Sequence, residues 1–394
     1  MSKTTPEHIK VLYLVRWYPN RYDPMPGLFI QRHAEAAAGC CDVGVVYTHV
    51  VDNEKINSFE VDFSVVNGVL TAKVYYSNSK NRIPLISPIV NAIRFFRANA
   101  LGIKKIKKEL DGFDLIHVHV LTRLGLIALW YKWFKNKPYV ISEHWSRYLP
   151  LTGDFKGGLR KWFTRMVVKN ASVVTTVTQN LANAMQSHGL KNPDYRVLAN
   201  VVTDDFLKSQ TEKKNEKTTF VHVSCFEDKS KNISGLLRMI KSLSEKRNDF
   251  KFKLIGEGMD LERMKNYARD LGLTEETVVF TGLLEGKELV KEMASADMMV
   301  VFSNYENFPV VINESFVLGV PVLATRVGGI PEFVNDSNGC LLDAGDENAL
   351  EKYLTEYLEG KLVFDHEKIK NGARSAFSPE KIGQELCDIY KSLK

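Results

Sequence analysis

The chain has 394 residues, of which 44% are hydrophobic and 25% are charged. This length exceeds what one hydrophobic core holds, so we expect two domains, and the composition excludes a disordered or fibrous protein. The net charge of +6 is uneven, because residues 1–200 carry 27 Lys and Arg against 14 Asp and Glu, whereas residues 201–394 carry 26 against 33. The basic first half indicates an anionic partner, such as nucleic acid, anionic lipid or a phosphorylated substrate.

The start of the chain and its cysteines bear on its compartment. Residues 1–8, M-S-K-T-T-P-E-H, lack the apolar core of a signal peptide, and the most apolar stretch, residues 115–134, is interrupted by His, Arg and Lys. We therefore expect a cytoplasmic protein without a membrane span, either free or peripheral at the cytoplasmic face of the inner membrane. Five cysteines, none spaced C-x-x-C, favour reduced thiols over a zinc site or a disulfide framework.

Short apolar stretches alternate with helical patterns along the first half of the chain. Strands are predicted over residues 10–15, 42–48, 114–119, 139–144 and 172–178, and helices over residues 27–38 and 88–110. This alternation predicts a parallel sheet with helices on both faces. Residues 198–218 are polar and rich in turn formers, so we interpret them as an inter-domain linker that follows a first domain of residues 1–200.

The same pattern restarts after the linker. Strands are predicted over residues 219–224, 252–256, 278–282, 297–302 and 340–342, and helices near residues 233–246, 261–271 and 287–295. The second domain is therefore expected to span residues 201–377. Two parallel sheets in series leave a cleft lined by the carboxyl ends of their strands, which is where ligands bind in open α/β sheets.

One stretch at this cleft carries the chemistry. Residues 303–332 read S-N-Y-E-N-F-P-V-V-I-N-E-S-F-V-L-G-V-P-V-L-A-T-R-V-G-G-I-P-E and follow the strand predicted over residues 297–302. Pro309 suits the first turn of a helix that Gly319 ends. Residues 308–311 are therefore predicted to form a helix N-terminus, whose N–H groups and positive dipole end favour an anion such as a phosphate.

Two glutamates flank this anion site. Glu314 lies five residues beyond Pro309, roughly 7.5 Å along the helix, where its carboxylate can accept hydrogen bonds from a vicinal diol such as a ribose. Glu306 precedes the helix and faces the opposite end of a bound diphosphate. Two acceptors around an anion site predict a nucleotide-sugar pocket, and the alternative is a pair of solvated glutamates on a surface helix.

At these residues the sequence becomes similar to a known family. E-N-F-P-V-V-I-N-E (306–314) resembles the E-x7-E signature of retaining glycosyltransferases of the GT-B fold, family 4, and the following residues resemble that family's usual continuation. W-Y-P-N-R-Y-D-P-M-P-G-L-F-I-Q-R-H-A-E (17–35) is similar to its first loop and helix, and R-V-L-A-N-V-V-T-D-D-F (196–206) to the start of its linker. The resemblance implies an α/β GT-B enzyme with two Rossmann-like domains facing a cleft. It also implies that the C-terminal helix, at about residues 378–394, packs back on the first domain.

The resemblance implies catalytic roles for Lys231, Glu306 and His144. Lys231 is expected to hold the diphosphate of the donor, and His144 to hydrogen-bond the transferred sugar. Many family members carry an arginine about six residues before that lysine, whereas this chain has Cys225. Lys229 either replaces the missing cation or is a solvated loop residue.

A donor pocket built from several loops is also implied. Gly27, at a loop-to-helix junction, is expected to let the backbone approach a phosphate or sugar between donor and acceptor, or else to serve the turn alone. The Gly256–Gly258 loop is not a dinucleotide fingerprint, because Leu261 stands where a third glycine is needed. We expect His117 in the core and leave His119 open. The expected donor-binding residues are Glu314, Asn307, Phe308, Pro309, Val310, Val311, Gly256, Gly282 and Leu283.

Residues 94–108, R-F-F-R-A-N-A-L-G-I-K-K-I-K-K, form a basic pattern with interleaved apolar residues. Such a helix suits peripheral contact with an anionic membrane, and the alternative is a helix that covers the sheet and turns a lysine face to solvent. Nucleic-acid binding is not expected, because the sequence contains no recognition module.

These observations predict a retaining glycosyltransferase that moves a hexose or N-acetylhexosamine from a nucleotide diphosphate sugar to a saccharide or a polyprenyl-diphosphate-linked acceptor. No metal or other cofactor is expected, since the sequence has no Asp-x-Asp pair to bind a metal–diphosphate complex. Two alternatives stay open: a nucleotide-sugar epimerase of the same architecture, and a relative that binds nucleotide sugars without turnover.

Overall fold

The computed structural model describes residues 8–51, 58–79, 86–121, 123–150, 152–209 and 216–394. In these ranges the chain forms two α/β domains, each built on a sheet of mainly parallel strands. The predicted fold class is thereby confirmed. The polar start of the chain (residues 1–7) and part of the predicted linker (residues 210–215) lie outside the described residues.

The first domain contains an eight-stranded sheet in the order β3-β4-β2-β1-β5-β6-β7-β8. Every neighbouring pair is parallel except β3 and β4, which form an antiparallel hairpin at the edge. The strands are β1 (Ile9–Val15), β2 (Cys41–Val50), β3 (Phe59–Val66), β4 (Val69–Tyr76), β5 (Leu115–His119), β6 (Tyr139–Glu143), β7 (Val173–Thr176) and β8 (Tyr195–Val197). The helices are α1 (Leu28–Ala38), α2 (Ile86–Glu109), α3 (Leu124–Lys135), α4 (Gly158–Asn170), α5 (Gln179–Ser187) and α6 (Asp204–Leu207).

The central strand β1 shows how the first domain is layered. Successive side chains of a strand point to opposite faces of the sheet. Val11 and Tyr13 accordingly belong to a hydrophobic cluster with α1, whereas Leu12 and Leu14 belong to a cluster with α2 and α3. Both faces of the sheet are therefore covered, as the alternation of strands and helices predicts.

The second domain contains a six-stranded parallel sheet in the order β11-β10-β9-β12-β13-β14. Its strands are β9 (Thr218–Val223), β10 (Phe250–Ile255), β11 (Val278–Gly282), β12 (Met298–Val301), β13 (Val322–Thr325) and β14 (Gly339–Leu342). Its helices are α7 (Asp228–Lys231), α8 (Ile233–Ser244), α9 (Leu261–Asp270), α10 (Gly286–Ala294), α11 (Val310–Val317), α12 (Glu347–Leu358) and α13 (His366–Phe377).

The last helix, α14 (Pro379–Lys391), lies on the first domain rather than on the second. The Tyr390 hydroxyl is 2.6 Å from the Tyr13 hydroxyl and 2.6 Å from Nδ1 of His117. Gly383 contacts the Ala36 carbonyl so closely that a Cβ would overlap it, which lets α14 cross α1 at short range. His117 is fully buried in this contact, which confirms it as a core residue.

The cysteines correct one expectation from the sequence. Cys40 at the end of α1 and Cys387 on α14 are joined by a disulfide, and Sγ of Cys41 lies 3.3 Å from Sγ of Cys387. Spacing along the chain could not show this pairing, because 347 residues separate the partners and only the return of α14 brings them together. In the described part of the chain, these three cysteines are the only group of three or more His, Cys, Asp or Glu whose ligand atoms all lie within 4.8 Å of one another. They lie at the amino end of β2, whereas the predicted site uses the carboxyl ends of the strands.

Helix α2 covers the hairpin edge of the first sheet. Arg94 and Arg97 lie over the Phe59 ring at 5.3 Å, and Lys105 lies 4.2 Å from the centre of the Phe63 ring. Several basic side chains of α2 therefore pack on aromatic rings of β3, as expected for a helix that covers the sheet. Across the described ranges, no helix combines the length and the apolar character needed to span a bilayer.

Candidate functional site at the inter-domain cleft

The carboxyl ends of the strands in both domains face each other across one cleft, and polar contacts join its walls. Nδ2 of Asn307 donates to the His144 carbonyl at 2.9 Å. The Glu332 carboxylate accepts hydrogen bonds from the backbone N–H groups of Gln179 and Asn180, each at 2.6 Å. These two amides lie in the first turn of α5, where the helix dipole favours a carboxylate. The two domains are thus held together directly beside the predicted site.

Lys231 and Glu306 form an ion pair at the centre of the predicted donor site. Lys231 is the last residue of α7, just after β9, and Glu306 lies in the loop after β12. The two loops meet because β9 and β12 are neighbours in the sheet. The side chains of Lys231 and Glu306 are only 15% and 11% exposed, and Ser303 donates a further hydrogen bond to the same Glu306 oxygen at 2.9 Å.

The charge state of Lys231 follows from this pair. Burial alone would lower the pKa of its ammonium, but attraction to Glu306 and the hydrogen bond between them outweigh burial and raise the pKa above its ordinary value. Lys231 is therefore a fixed cation at neutral pH. By contrast, Lys229 is exposed; its carbonyl accepts a hydrogen bond from Nδ2 of Asn304 at 3.1 Å, and its ammonium has no ion-pair partner among the described residues.

Helix α11 begins at the mouth of the cleft, where the sequence predicts an anion site. Pro309 is its N-cap residue, one position earlier than expected, and no side chain caps the first turn. The Phe308 ring is buried and packs on Phe333 with 4.1 Å between the ring centres, so it anchors the start of the helix in the core. Val310 and Val311 open the helix and are half-buried. Phe308 can therefore offer a ligand its backbone rather than its side chain.

Glu314 has a partner that the sequence does not reveal. Its carboxylate lies on α11, is 4% exposed, and receives a hydrogen bond from the Arg32 guanidinium at 2.9 Å. Arg32 comes from α1 of the first domain, so this ion pair bridges the cleft. The carboxylate that we expect to bind a ribose is thus already occupied by a cation from the opposite wall.

Asn307 and the glycines of the following loop form a close contact between the domains. A Cβ on Gly328 would overlap the Glu306 carbonyl, and one on Gly329 would overlap the Thr178 side chain. The Gly329 N–H donates to the Asn307 carbonyl at 2.8 Å. The two glycines therefore have a structural role, because they let the loop press against both residue 306 and the first domain.

The other predicted loops of the second domain lie on the same side of the sheet. Gly256 has a positive φ of 136°, and a Cβ there would overlap the Ser224 carbonyl, so the loop after β10 lies against the loop after β9. Cys225, where the family commonly has a cation, is exposed in that second loop. Gly282 at the end of β11 has open space around it, and Leu283 beside it is exposed. These last two residues form an accessible end of the cleft.

Gly27 is the N-cap residue of α1, with a φ of 76°. A Cβ at this position would overlap the carbonyl of Trp17. The turn therefore requires glycine, which is the alternative that the sequence left open. A role for Gly27 in approaching a ligand stays a prediction.

His144 belongs to a group of four buried or half-buried imidazoles at the first-domain wall, with His33, His117 and His119. Its ring stacks on His119 with 5.8 Å between the centres and lies 4.6 Å from the Phe29 ring. Within the described ranges, no ring nitrogen of His119 or His144 has a hydrogen-bond partner. Burial, and then repulsion from neighbouring histidines, holds the pKa of both rings well below the usual value. His144 is therefore a neutral imidazole with free hydrogen-bonding capacity.

Several residues of the site escaped the sequence analysis. Arg32 sits among ordinary helix residues, and Ser303 and Glu332 carry no motif of their own. Arg32 and Glu332 each make their contact with a residue of the other domain, so only the relative placement of the two domains reveals those contacts. Ser303 contacts Glu306 within the same loop after β12.

Comparison with known proteins agrees with this geometry. Residues 203–376 match the family model described as "Glycosyl transferases group 1", and residues 58–206 match that described as "Glycosyltransferase Family 4". The two matches overlap at residues 203–206 and together cover most of the chain.

Individual relatives are similar along most of the chain. An uncharacterized glycosyltransferase of Methanocaldococcus jannaschii is 27% identical over 298 residues, which is 74% of this chain and 80% of that protein. The N-acetyl-alpha-D-glucosaminyl L-malate synthase of Bacillus anthracis is 25% identical over 295 residues, which is 72% of this chain and 75% of the synthase.

Solved structures share the fold at lower identity. The sucrose-phosphate synthase of Thermosynechococcus elongatus superposes with a TM-score of 0.74 at 17% identity, covering 98% of this chain and 99% of that one. HepE of Anabaena, solved in complex with UDP, superposes with a TM-score of 0.69 at 17% identity, covering 98% and 100% of the two chains.

Proposed function

Because this chain belongs to the group 1, or family 4, glycosyltransferases of the GT-B fold, we propose that it is a retaining enzyme that uses a nucleotide diphosphate sugar. The sugar is a hexose or an N-acetylhexosamine, and the acceptor is a saccharide or a polyprenyl-diphosphate-linked saccharide in surface polysaccharide or glycoconjugate synthesis. The observation that carries the proposal is the meeting of Lys231, Glu306 and the start of α11 in one cleft.

Each of these groups matches one part of a nucleotide sugar. The Lys231 ammonium and the amides at the start of α11 suit the two phosphates. Glu314 suits the ribose diol once Arg32 releases or shares its carboxylate. Glu306 and the neutral His144 ring, on opposite walls, suit the hydroxyl groups of the sugar.

The proposed reaction is a single transfer at the anomeric carbon. The bond between that carbon and the diphosphate oxygen breaks, and a bond from the acceptor hydroxyl oxygen forms on the same face of the sugar. The hydroxyl proton passes to an oxygen of the departing diphosphate. Lys231 and the helix amides stabilise the negative charge that develops on the leaving group, which lowers the barrier for the chemical step. We propose that these groups, rather than a metal ion, neutralise that charge.

The binding site and identity of the donor base are proposed by the same reasoning, from fewer contacts. Gly282 and Leu283 lie at the carboxyl end of β11, and the Gly256 loop follows the neighbouring β10; the open space at Gly282 and the exposure of Leu283 support our proposal that the base of the nucleotide binds at these loops. A fold neighbour, HepE of Anabaena, has been solved in complexes with UDP and with UDP-glucose. We therefore propose a UDP-sugar as the first donor to test.

The decisive experiment compares UDP, GDP and ADP and their sugars, first by thermal shift and then by product analysis. We expect one nucleotide to raise the melting temperature and its sugar to be hydrolysed slowly or transferred to an added acceptor with retention of configuration. Interconversion of two sugars without nucleotide release would instead establish the epimerase. Tight binding without any turnover would establish a binding protein. Loss of activity with a chelator, restored only by divalent ions, would contradict the metal-independent mechanism.

A further inference from the structure

A large groove in the first domain is lined by four arginines. Its volume is about 1190 Å³, and its walls come from the loop after β1, the start of α2, α3, the loop after β6 and α4. This volume exceeds that of a typical small-molecule site, which leaves room for a saccharide with an attached group. We call this feature the arginine groove, after Arg16, Arg123, Arg147 and Arg160.

The positive charge of the arginine groove is only partly offset by the described residues, through the attraction between Glu143 and Arg147. None of the described residues that line it is acidic. Among the described residues, no carboxylate lies within ion-pair distance of any of its four arginines. Arg147 stacks over the Trp145 ring at 3.1 Å, and its Nε is buried without a hydrogen-bond partner among the described groups. An arginine with a structural role normally pairs with an acid, so this arrangement needs another explanation.

Placing these cations together has an energetic cost. Burial, followed by repulsion from Arg123, lowers the pKa of the Arg16 guanidinium. Burial likewise lowers the pKa of Arg147; electrostatic interactions with Tyr148 and Glu143 oppose this shift, and repulsion from Arg160 and Arg16 adds to it. A polyanionic ligand that contacts several of these guanidinium groups would offset both the repulsion and the desolvation.

The groove lies next to the inter-domain cleft. Trp145 lines it, and the preceding residue, His144, is the one whose carbonyl binds Asn307 of the second domain. The Trp145 ring also contacts the Trp17 ring, with 5.2 Å between their centres. A ligand in the groove can therefore extend past these two rings toward the site where the donor sugar is expected.

An apolar surface continues from the groove along α3 and α4. Leu126 lines the groove, and Trp130, Trp133 and Phe134 follow it on the same face of α3, since they lie four, seven and eight residues further on. On α4, Leu159 is 72% exposed at the rim of the groove, and Trp162 is 56% exposed one turn later. Trp133 and Phe134 are 54% and 65% exposed. We call these exposed side chains of α3 and α4 the aromatic face.

The surroundings of the aromatic face are strongly basic. Residues 124–170 contain nine Lys and Arg but only two acidic residues. Lys135 lies 5.9 Å from the Trp130 ring centre, and Lys161 and Lys169 lie on α4. Tryptophans flanked by lysines are typical of surfaces that lie at the boundary between water and anionic lipid headgroups. The charge therefore favours a membrane over a second protein as the occupant.

We infer that the arginine groove binds the diphosphate of a lipid-linked acceptor, whose hydrocarbon chain leaves along the aromatic face into an anionic membrane. The inference rests on the proposed glycosyl transfer, because it names the acceptor for the same cleft. It places the membrane contact on α3 and α4, whereas the basic pattern over residues 94–108 had placed it on α2. The guanidinium groups would fix the acceptor by its diphosphate and present its sugar hydroxyl past Trp145.

The first test measures binding of geranyl diphosphate, a water-soluble polyprenyl diphosphate, by calorimetry. Arg123 and Arg160 are exposed, so the R123A/R160A double variant is expected to fold. Losing two charge-assisted contacts should weaken binding about 100-fold. The exposed Arg269 on α9 of the second domain offers a matched control, and R269A should bind like the parent. Unchanged binding by the double variant would overturn the assignment of the groove.

Two related ligands test separately the diphosphate and the hydrocarbon chain of geranyl diphosphate. We expect inorganic pyrophosphate to bind more weakly than geranyl diphosphate, because it forfeits the contact of the chain with Leu126 and Leu159. Geraniol, which lacks the diphosphate, should not bind measurably. Equal affinity for pyrophosphate and geranyl diphosphate would limit the groove to a free anion and refute the lipid-linked acceptor.

The second test measures flotation with vesicles of phosphatidylcholine, with and without phosphatidylglycerol. The parent should float with the anionic vesicles, and W133S/W162S should lose at least about tenfold in partitioning, since the rings no longer enter the interface. V363S, at an exposed site in the second domain, is the matched control. Equal flotation of W133S/W162S and the parent would refute the role of the aromatic face.

Failure of this inference is distinguishable from failure of the proposed function. Neither the R123A/R160A nor the W133S/W162S pair touches the donor site, so both variants should keep the thermal shift with nucleotide, and W133S/W162S should also keep the slow donor hydrolysis of the parent. If the parent lacks both of these, the proposed function fails, while geranyl diphosphate binding still decides whether the groove binds an anion.

Discussion

Replacing Lys231 by alanine separates a role in catalysis from a role in folding. The ammonium is 15% exposed and is paired with Glu306, so solvent screens the interaction only weakly. If Lys231 stabilises the departing diphosphate, its loss should lower kcat by about 100- to 1000-fold, as for removal of one donor that stabilises a developing charge. The KM for the donor should change much less, because the charge develops mainly in the transition state.

The same substitution has a cost in stability that must be measured alongside. The Glu306 side chain is 11% exposed in the parent, and without Lys231 the Ser303 hydroxyl is its one remaining side-chain partner among the described residues. Breaking a buried pair in this way costs about 3 kcal/mol. The double variant K231A/E306Q removes both charges and should recover most of that free energy of unfolding.

Initial rates of nucleotide release, together with calorimetric unfolding, distinguish the two roles. We expect K231A/E306Q to be nearly as stable as the parent and still inactive. K229A is the matched control, because Lys229 is exposed two residues away and should turn over at the parent rate. Parent-like kcat in K231A, or recovery of activity in the double variant, would show that Lys231 only compensates Glu306.

Three further predictions follow from other contacts. R32M should bind the nucleoside diphosphate about fivefold more tightly, because Glu314 no longer has to leave its cationic partner. Calorimetry measures this affinity, and weaker binding would show that Arg32 contacts the nucleotide itself. Burial holds the pKa of His33 at about 4, whereas the pKa of histidine in the unfolded chain is about 6.5. The free energy of unfolding should therefore fall as the pH drops below about 6.5, and H33Q should remove about 2 kcal/mol of that loss at pH 5. Identical pH profiles of Tm for H33Q and the parent would contradict this. A reductant should destabilise the parent by about 3 kcal/mol but leave C387S unchanged, with C340S as the control; a parent insensitive to reductant would indicate free thiols at Cys40 and Cys387.

Much of the fold follows from local patterns in the sequence, and the errors are equally physical. The strands predicted at residues 114–119 and 278–282 match β5 and β11. The apolar run of β5 is buried at every position, as in the interior of a parallel sheet, whereas β11 is a half-buried edge strand. The hairpin of β3 and β4 was missed although its signals are present: residues 59–63 alternate apolar and polar side chains, and Asn67-Gly68 adopts the positive φ values of a two-residue turn. An edge strand of this kind does not fit the strand–helix rhythm that guided the rest.

The sequence predicts the part of the candidate site whose residues come from a single domain. The meeting of Lys231 and Glu306, 75 residues apart, follows once β9 and β12 are neighbours, since both residues come after strands that end at the same edge. Arg32 was not predictable, because its contact with Glu314 depends on how the two domains are placed. The arginines of the groove were missed for a similar reason, as they come from four separate segments of the first domain.

The uneven charge of the two halves shows that the position of individual charged residues indicates a ligand better than the net charge of a domain does. The second half is acidic overall, yet we propose that it binds a diphosphate, because one buried lysine and a helix start lie where the phosphates are expected, and Glu306 and Glu314 serve as hydrogen-bond acceptors for hydroxyl groups. The first half is basic overall, but basic side chains of α2 lie over the rings of Phe59 and Phe63 in β3. What distinguishes the arginine groove is that its cations form no ion pair with any described carboxylate. A cation without a partner, rather than a count of cations, is therefore the feature that indicates an anionic ligand.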